Sequence, residues 1–191
     1  MRRPRPLPEP LLRAPAFSVA EANRRGVGTS RLAASDLVSP YRGVRVHVGR
    51  TFDRPAAFAE RMTPAQFFSH STAALLYGIP LPRALENSAM LHVSVHRPDA
   101  RPRVRGVYGH VLDPETNPVV AEAGIRLAEP SAVWCQLAEQ LGLDDLVIAG
   151  DYLVTAGRRS EVRRRSRAST NSRTPWLHAR AIAAHECCAT R

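Results

Sequence analysis

Histidines are the residues of this 191-residue chain that could hold a metal ion. His92 and His96 share one face of a predicted strand, and His110 lies in the next predicted strand, where it could face them. Zinc sites use spacings such as Cys-x-x-Cys or, on a helix, His-Glu-x-x-His, and neither accompanies these residues. The sequence therefore favours surface or cross-strand histidines, and we predict no metal site and no cofactor.

The residue types that could catalyse a reaction also lack the neighbours that catalysis needs. His70 lies near the start of a predicted helix, where a local hydrogen bond explains it better than a role as a general base. Cys135, beside Trp134, is expected to be a small buried apolar residue. Neither a phosphate-binding glycine loop nor a Gly-x-Ser-x-Gly elbow occurs. We predict no catalytic residue, so the chain is not expected to be an enzyme.

Two short helices and a strand near the N-terminus suggest contacts to DNA instead. Ser18 and Glu21 form a capping box for a helix that ends at Gly26. A second helix over 29–36, capped by Thr29 or Ser30, and a strand over 44–48 follow. In a helix-turn-helix the N-terminal residues of the second helix meet base edges, and a wing adds contacts to the backbone. The predicted DNA contacts are therefore Thr29, Ser30, Arg31, Arg42 and Arg45, although solvated arginines in an ordinary small domain are the alternative.

Positive charge is unevenly distributed along the chain. The net charge is +10, but residues 157–191 carry nine arginines against two glutamates, and residues 1–156 carry 18 arginines against 15 acids. The net charge of residues 1–156 alone therefore does not indicate nucleic-acid binding, which must be argued from the positions of individual basic residues. No apolar run is long enough to cross a membrane, and no apolar segment follows the basic N-terminus. Three cysteines make no disulfide framework, so we expect a cytoplasmic protein without membrane contacts.

The remaining pattern predicts an α+β fold. Helices are expected over 56–61, 67–77, from 130 and from 144 to 154; strands are expected over 91–95, 106–112, 119–121 and 125–128, the first two as a hairpin. The predicted organisation is a Pro/Arg-rich arm (1–15), a winged-helix-like unit (16–50), a mixed α/β unit (51–156) and a disordered arginine-rich tail (157–191).

An ordered series of motifs resembles a known family. The N-terminal segments 17–22, 26–32 and 41–46 are similar to the antitoxin-type winged helix of the AbiEi family, and 68–82, 91–95 and 130–138 are similar to the segments that follow it. The arrangement resembles actinobacterial proteins that end in a Vsr-like endonuclease domain. Here an arginine-rich tail takes that place, with Glu161 and Glu186 its only acids, so the resemblance implies that the nuclease domain is missing. Such a tail is either the product of a frameshift or a functional basic arm.

These observations predict a DNA-binding transcriptional regulator of the type IV toxin–antitoxin antitoxin kind, which occupies an operator. Its expected partners are double-stranded DNA and a cognate toxin or its operon. The alternative is a catalytically inactive remnant of a Vsr-like endonuclease protein. The role of the mixed α/β unit and the oligomeric state stay open at this point.

Overall fold

A computed structural model describes residues 4–122 and 124–168, and it describes side chains as far as residue 156. Helices and strands are both present, which confirms the α+β class. No helix within the described ranges is long and apolar enough to cross a bilayer.

The predicted arm and winged-helix-like unit together contain three short helices and a three-stranded sheet. The central strand of the sheet is the last in sequence, which pairs antiparallel with both others in the order β1-β3-β2. This order of elements is compatible with the predicted winged-helix-like unit. In chain order the elements are α1 (Glu9–Arg13), β1 (Ala16–Ser18), α2 (Val19–Arg24), α3 (Thr29–Leu32), β2 (Leu37–Val38) and β3 (Val44–His47).

Helix α2 begins and ends where its sequence predicts. The Ser18 hydroxyl accepts a hydrogen bond from the Glu21 backbone N–H at 3.2 Å, and Gly26 follows the helix with a φ of 76° that favours glycine. The capping box is only half formed, because the Glu21 carboxylate binds Arg24 and Arg25 instead of turning back. Local chemistry is therefore enough to define this helix.

Helix α3 is shorter than its sequence suggests. It covers Thr29–Leu32, a single turn, instead of 29–36. Gly28 is its N-cap residue, so neither Thr29 nor Ser30 caps it. The chain turns after Leu32, and the Arg31 side chain holds Asp36 in a bidentate ion pair across that turn. An ion pair between residues five positions apart thus takes the place of the second turn of the expected helix.

The mixed α/β unit is built on a five-stranded sheet in the order β6-β5-β4-β8-β7. Helix α5 follows β4 directly, and α7 follows β8. The remaining elements are α4 (Arg54–Ala59), β4 (Phe67–Phe68), α5 (His70–Leu76), α6 (Arg83–Glu86), β5 (Leu91–His96), β6 (Val107–Leu112), β7 (Val119–Glu122), β8 (Ile125–Ala128), α7 (Pro130–Leu137) and α8 (Leu143–Ala168).

The larger hydrophobic core joins the two units. Val44 and Val46 of β3 belong to the same buried cluster as Phe58 and Phe68. The Tyr41 ring packs edge-on against Phe58, with centroids 5.1 Å apart, and Phe58 lies 6.2 Å from Phe68. The boundary predicted at residue 50 therefore separates two sheets that share one core.

Two sequence predictions in the mixed α/β unit were wrong. Strands β5 and β6 pair in parallel, with Leu91 beside Val107, and do not form a hairpin. The predicted helix 67–77 contains a strand at its start, because Phe67 and Phe68 pair with β5 and β8. The two short strands predicted over 119–121 and 125–128 are confirmed, and they pair with each other antiparallel. Each error concerns pairing between segments far apart in sequence, which periodicity cannot reveal.

Helix α8 continues beyond the end predicted at Val154. Its backbone stays helical to Ala168, so residues 157–168, the first part of the predicted disordered tail, are helical. Asp144 and Asp145 lie in its first turn as predicted. The prediction for residues 169–191 lies outside the described residues.

Gly109 of β6 leads to a prediction about stability. A Cβ atom at this position would lie 2.1 Å from the backbone oxygen of Pro102. We expect Gly109→Ala to lower the free energy of unfolding by about 1–3 kcal/mol, because backbone must shift to make room. Urea unfolding followed by circular dichroism measures the change. Gly142→Ala is the matched control, since nothing lies within 4 Å of its Cβ position. Equal stability of the two variants would contradict the close approach.

Candidate functional site

Arg31 and Arg45, two of the predicted DNA contacts, are bound within the protein. The Arg31 guanidinium forms two hydrogen bonds to Asp36, at 2.8 and 2.7 Å, and a third to the Arg5 carbonyl. Its side chain is 12% exposed. The Arg45 guanidinium donates to the Leu32 carbonyl at 2.8 Å and to the Ser39 hydroxyl at 3.0 Å. These hydrogen bonds position α3 and the β2–β3 loop, and a direct contact of either arginine to DNA stays a prediction.

Thr29, Ser30 and Arg42 are the predicted contacts that remain accessible. Thr29 and Ser30 are exposed in α3, and Arg42 is exposed in the loop between β2 and β3. Since Arg45 links the end of α3 to this loop through Leu32 and Ser39, the two exposed segments are held in a fixed relation. Thr29, Ser30 and Arg42 are therefore the exposed candidates for contacts to nucleic acid.

A cluster of three histidines is the most concentrated group of titratable side chains in the mixed α/β unit. His70 begins α5, His92 lies in β5 and His110 lies in β6. Each offers a ring nitrogen, and these three atoms lie within 4.8 Å of one another. The rings stack with centroid distances of 4.0 to 5.3 Å. We call these three residues the histidine cluster.

The hydrogen bonds of the cluster define its proton positions. The Ser71 N–H donates to Gln140 Oε1 at 3.2 Å, which turns the Gln140 amide nitrogen toward His92 Nε2 at 3.2 Å. His92 Nε2 therefore accepts, and His92 Nδ1 carries the proton that it donates to His110 Nε2 at 3.0 Å. His70 Nδ1 lies 2.9 Å from the Ser69 hydroxyl.

Burial keeps the histidine cluster neutral. Desolvation, with charge repulsion from His110 and His92, lowers the pKa of His70 to about 3. Desolvation and then His110 lower the pKa of His92 to about 4. Burial also lowers the pKa of His110, although the Glu139 carboxylate opposes this. At neutral pH the three rings therefore retain lone pairs.

A cleft of about 610 Å³ lies beside the cluster. His70 and His110 line it together with the basic Arg101 and the acidic Glu139. Cys135, expected to be buried, is half-buried and also lines the cleft. The cleft therefore combines imidazole, carboxylate and guanidinium groups within one concave surface.

The sequence did not predict this cluster, and the prediction of surface or cross-strand histidines was wrong in part. His92 and His110 are neighbours across two strands, but these are parallel, and His96 lies elsewhere, with its Nε2 bonded to the Asn117 carbonyl at 2.8 Å. His70 was assigned a local hydrogen bond, which it makes with Ser69, but it also stacks on His110. The sequence feature that pointed toward the cluster was the placement of His92 and His110 in neighbouring predicted strands.

Comparison with known proteins does not assign the chain to a family. No family model matches the chain, and no curated protein matches it. The resemblance to the AbiEi family therefore stays a prediction.

The ion pair of Arg31 and Asp36 predicts a pH-dependent contribution to stability. The Arg31 hydrogen bonds hold the pKa of Asp36 below its ordinary value. Because that pKa is lowered in the folded state, the stabilisation is present above about pH 4 and is lost as the pH falls further. We expect Asp36→Asn and Arg31→Ala each to lower the free energy of unfolding at pH 7 by about 1 kcal/mol, since the Asp36 side chain keeps 41% exposure.

Urea unfolding at pH 7 and pH 3 tests this expectation. The loss caused by Asp36→Asn should be smaller at pH 3, because Asp36 of the unfolded wild-type chain is then largely protonated and folding with the ion pair must release that proton. Arg13→Ala is the control, because its ion pair with Glu9 is exposed and should contribute little. A loss in Asp36→Asn that is as large at pH 3 as at pH 7 would contradict the assignment.

Proposed function

We propose that the chain is a DNA-binding regulator of the antitoxin kind, acting in the cytoplasm through its winged-helix-like unit. Duplex DNA is its principal partner, and a cognate toxin or its operon belongs to the same proposal. The contacts that the proposal retains are Thr29, Ser30 and Arg42, with Arg31 and Arg45 as positioning residues.

The separation of charge between the two units carries the proposal. Residues 1–50, the arm together with the winged-helix-like unit, contain ten arginines against three acids, a balance of +7, whereas residues 51–156 contain eight arginines against twelve acids, a balance of −4. The contrast is hidden when the net charge is counted over residues 1–156 together. Because the phosphate backbone attracts basic surfaces whatever its sequence, a strongly basic first unit is favourable for DNA and the second is not.

The geometry of the first unit supports the same conclusion. The β2–β3 loop is anchored by Tyr41, which is buried against Phe58, and by a hydrogen bond from the Val19 N–H to the Gly43 carbonyl, and Arg42 is exposed in that loop. Helix α3 presents two exposed hydroxyl residues on its single turn. Hydroxyl groups can bond phosphates or bases, and an exposed guanidinium can bond a phosphate in two places. The expected binding mode is a short helix beside a wing that contacts the backbone.

Arg42→Gln tests the wing. We expect the variant to bind duplex DNA more weakly, and the slope of log affinity against log salt to fall by about one, since one phosphate contact is lost. Fluorescence anisotropy with the full chain and a labelled duplex at several salt concentrations measures both quantities.

Arg83→Gln is the matched control, because it removes the same charge from an exposed arginine in the mixed α/β unit. Its slope and affinity should stay close to those of the wild type. Equal effects of the two changes would show that binding follows overall charge, including the arginines of 157–191, and would contradict the proposed surface.

A further inference from the structure

We propose that the histidine cluster, His70, His92 and His110, binds a single divalent transition-metal ion of the zinc type, with one coordination position open to the adjoining cleft. This inference concerns the mixed α/β unit and does not depend on the proposed DNA binding.

Three separate elements bring the ligands together. The start of α5, strand β5 and strand β6 each supply one imidazole, and the three ligand nitrogens lie within 4.8 Å of one another. Two ligands of a tetrahedral zinc ion, each about 2.0–2.1 Å from the metal, are about 3.3 Å apart. His92 Nδ1 and His110 Nε2 are already 3.0 Å apart. For the three lone pairs to meet at one centre, the stacked rings must turn about their Cβ–Cγ bonds.

The kind of ligand selects the kind of metal. All three donors are imidazole nitrogens, which suit zinc, copper, nickel and iron, whereas magnesium and calcium take oxygen ligands. His70 and His92 are only 3% and 7% exposed, so water competes little for them. Three histidines with a fourth position left open make up a common zinc arrangement, and zinc is the best match.

The backbone at His70 is strained in a way that holds its ring in the cluster. His70 has a φ of 49°, the only positive value for a residue other than glycine in the described part of the chain. Its N–H donates to Gln136 Oε1 at 2.7 Å, and its ring bonds Ser69, whose hydroxyl is 2.6 Å from that of Ser94. Such strain persists where surrounding bonds enforce it, and it concentrates at functional sites.

Gln140 would act as a positioning residue. Coordination through His92 Nδ1 moves the ring proton to Nε2, which then has to donate. Rotation of the Gln140 amide brings its oxygen to that proton, at the expense of the weak 3.2 Å bond from the Ser71 N–H. Metal-bound histidines commonly donate their other N–H to a carbonyl or a carboxylate, which fixes the ring.

We expect the open coordination position to face the cleft, because two of the three proposed ligands, His70 and His110, line the cleft. His92 does not line it. The Glu139 carboxylate and the Arg101 guanidinium line the same cleft. A water molecule or a small anion could therefore complete the coordination from the cleft, with the carboxylate and guanidinium nearby. Ligands of this site are expected to be small and anionic.

Equilibrium dialysis against Zn²⁺ and titration with Co²⁺ test the site. Both use the full chain with Cys187→Ser and Cys188→Ser, so that those thiols do not bind the probe. We expect one equivalent of Zn²⁺ to bind, and Co²⁺ to give the visible spectrum of a four-coordinate nitrogen site that changes when azide is added. His110→Asn and His70→Asn should weaken Zn²⁺ binding at least tenfold; asparagine tolerates the left-handed conformation of residue 70.

Two further variants make the test specific. His96→Asn, on the same strand as His92, should bind Zn²⁺ as the parent does, because His96 lies outside the cluster. Gln140→Glu should raise Zn²⁺ affinity, because a carboxylate accepts the His92 N–H better than an amide does. Circular dichroism confirms that each variant is folded.

The inference is overturned if the parent binds no Zn²⁺, or if folded His110→Asn and His70→Asn bind it as tightly as the parent. A Co²⁺ spectrum that is insensitive to azide would contradict the open position. Unchanged or weaker binding by Gln140→Glu would contradict His92 Nδ1 as the ligand atom.

Discussion

The two-residue strand β4 is the constraint on which the mixed α/β unit depends. Phe67 and Phe68 are both fully buried, and they pair with β5 on one side and β8 on the other. Without them the five-stranded sheet would separate into two unconnected pairs of strands. Because α5 begins only two residues after β4, the chain must turn sharply, and His70 takes up its positive φ there. The packing of two phenylalanines and the strained histidine are therefore parts of one arrangement.

Local features of this fold could be predicted from the sequence, and long-range ones could not. The Ser18 cap, the stop at Gly26 and the short strands β7 and β8 depend on residue types within a few positions, and they were predicted. The parallel pairing of β5 with β6 and the short strand β4 depend on partners more than ten residues away. Their segments carry no pattern that distinguishes these pairings from a hairpin or a helix.

In the candidate sites, too, the sequence could predict some features of the side chains and not others. Thr29, Ser30 and Arg42 are accessible as expected, but Arg31 is occupied by Asp36, and no sequence pattern shows which arginine has a partner. The histidine cluster escaped prediction because its members come from three elements whose proximity is a tertiary property. The contrast in charge between the two units, by comparison, was present in the sequence and was hidden by averaging.

The pairing of β4 with β8 also sets an order for synthesis on the ribosome. Phe68 lies beside Leu127, 59 positions later, so the centre of the larger sheet cannot close until that segment has emerged. The winged-helix-like sheet, whose strands all lie within residues 16–47, requires no later segment for its own pairing. Contacts between distant segments also slow folding, because closing a long loop costs entropy before the pairing is made. During translation the strands of the first sheet can therefore pair while the hydrophobic residues of β4 still lack β8, and hydrophobic residues left exposed in this interval promote aggregation of the nascent chain.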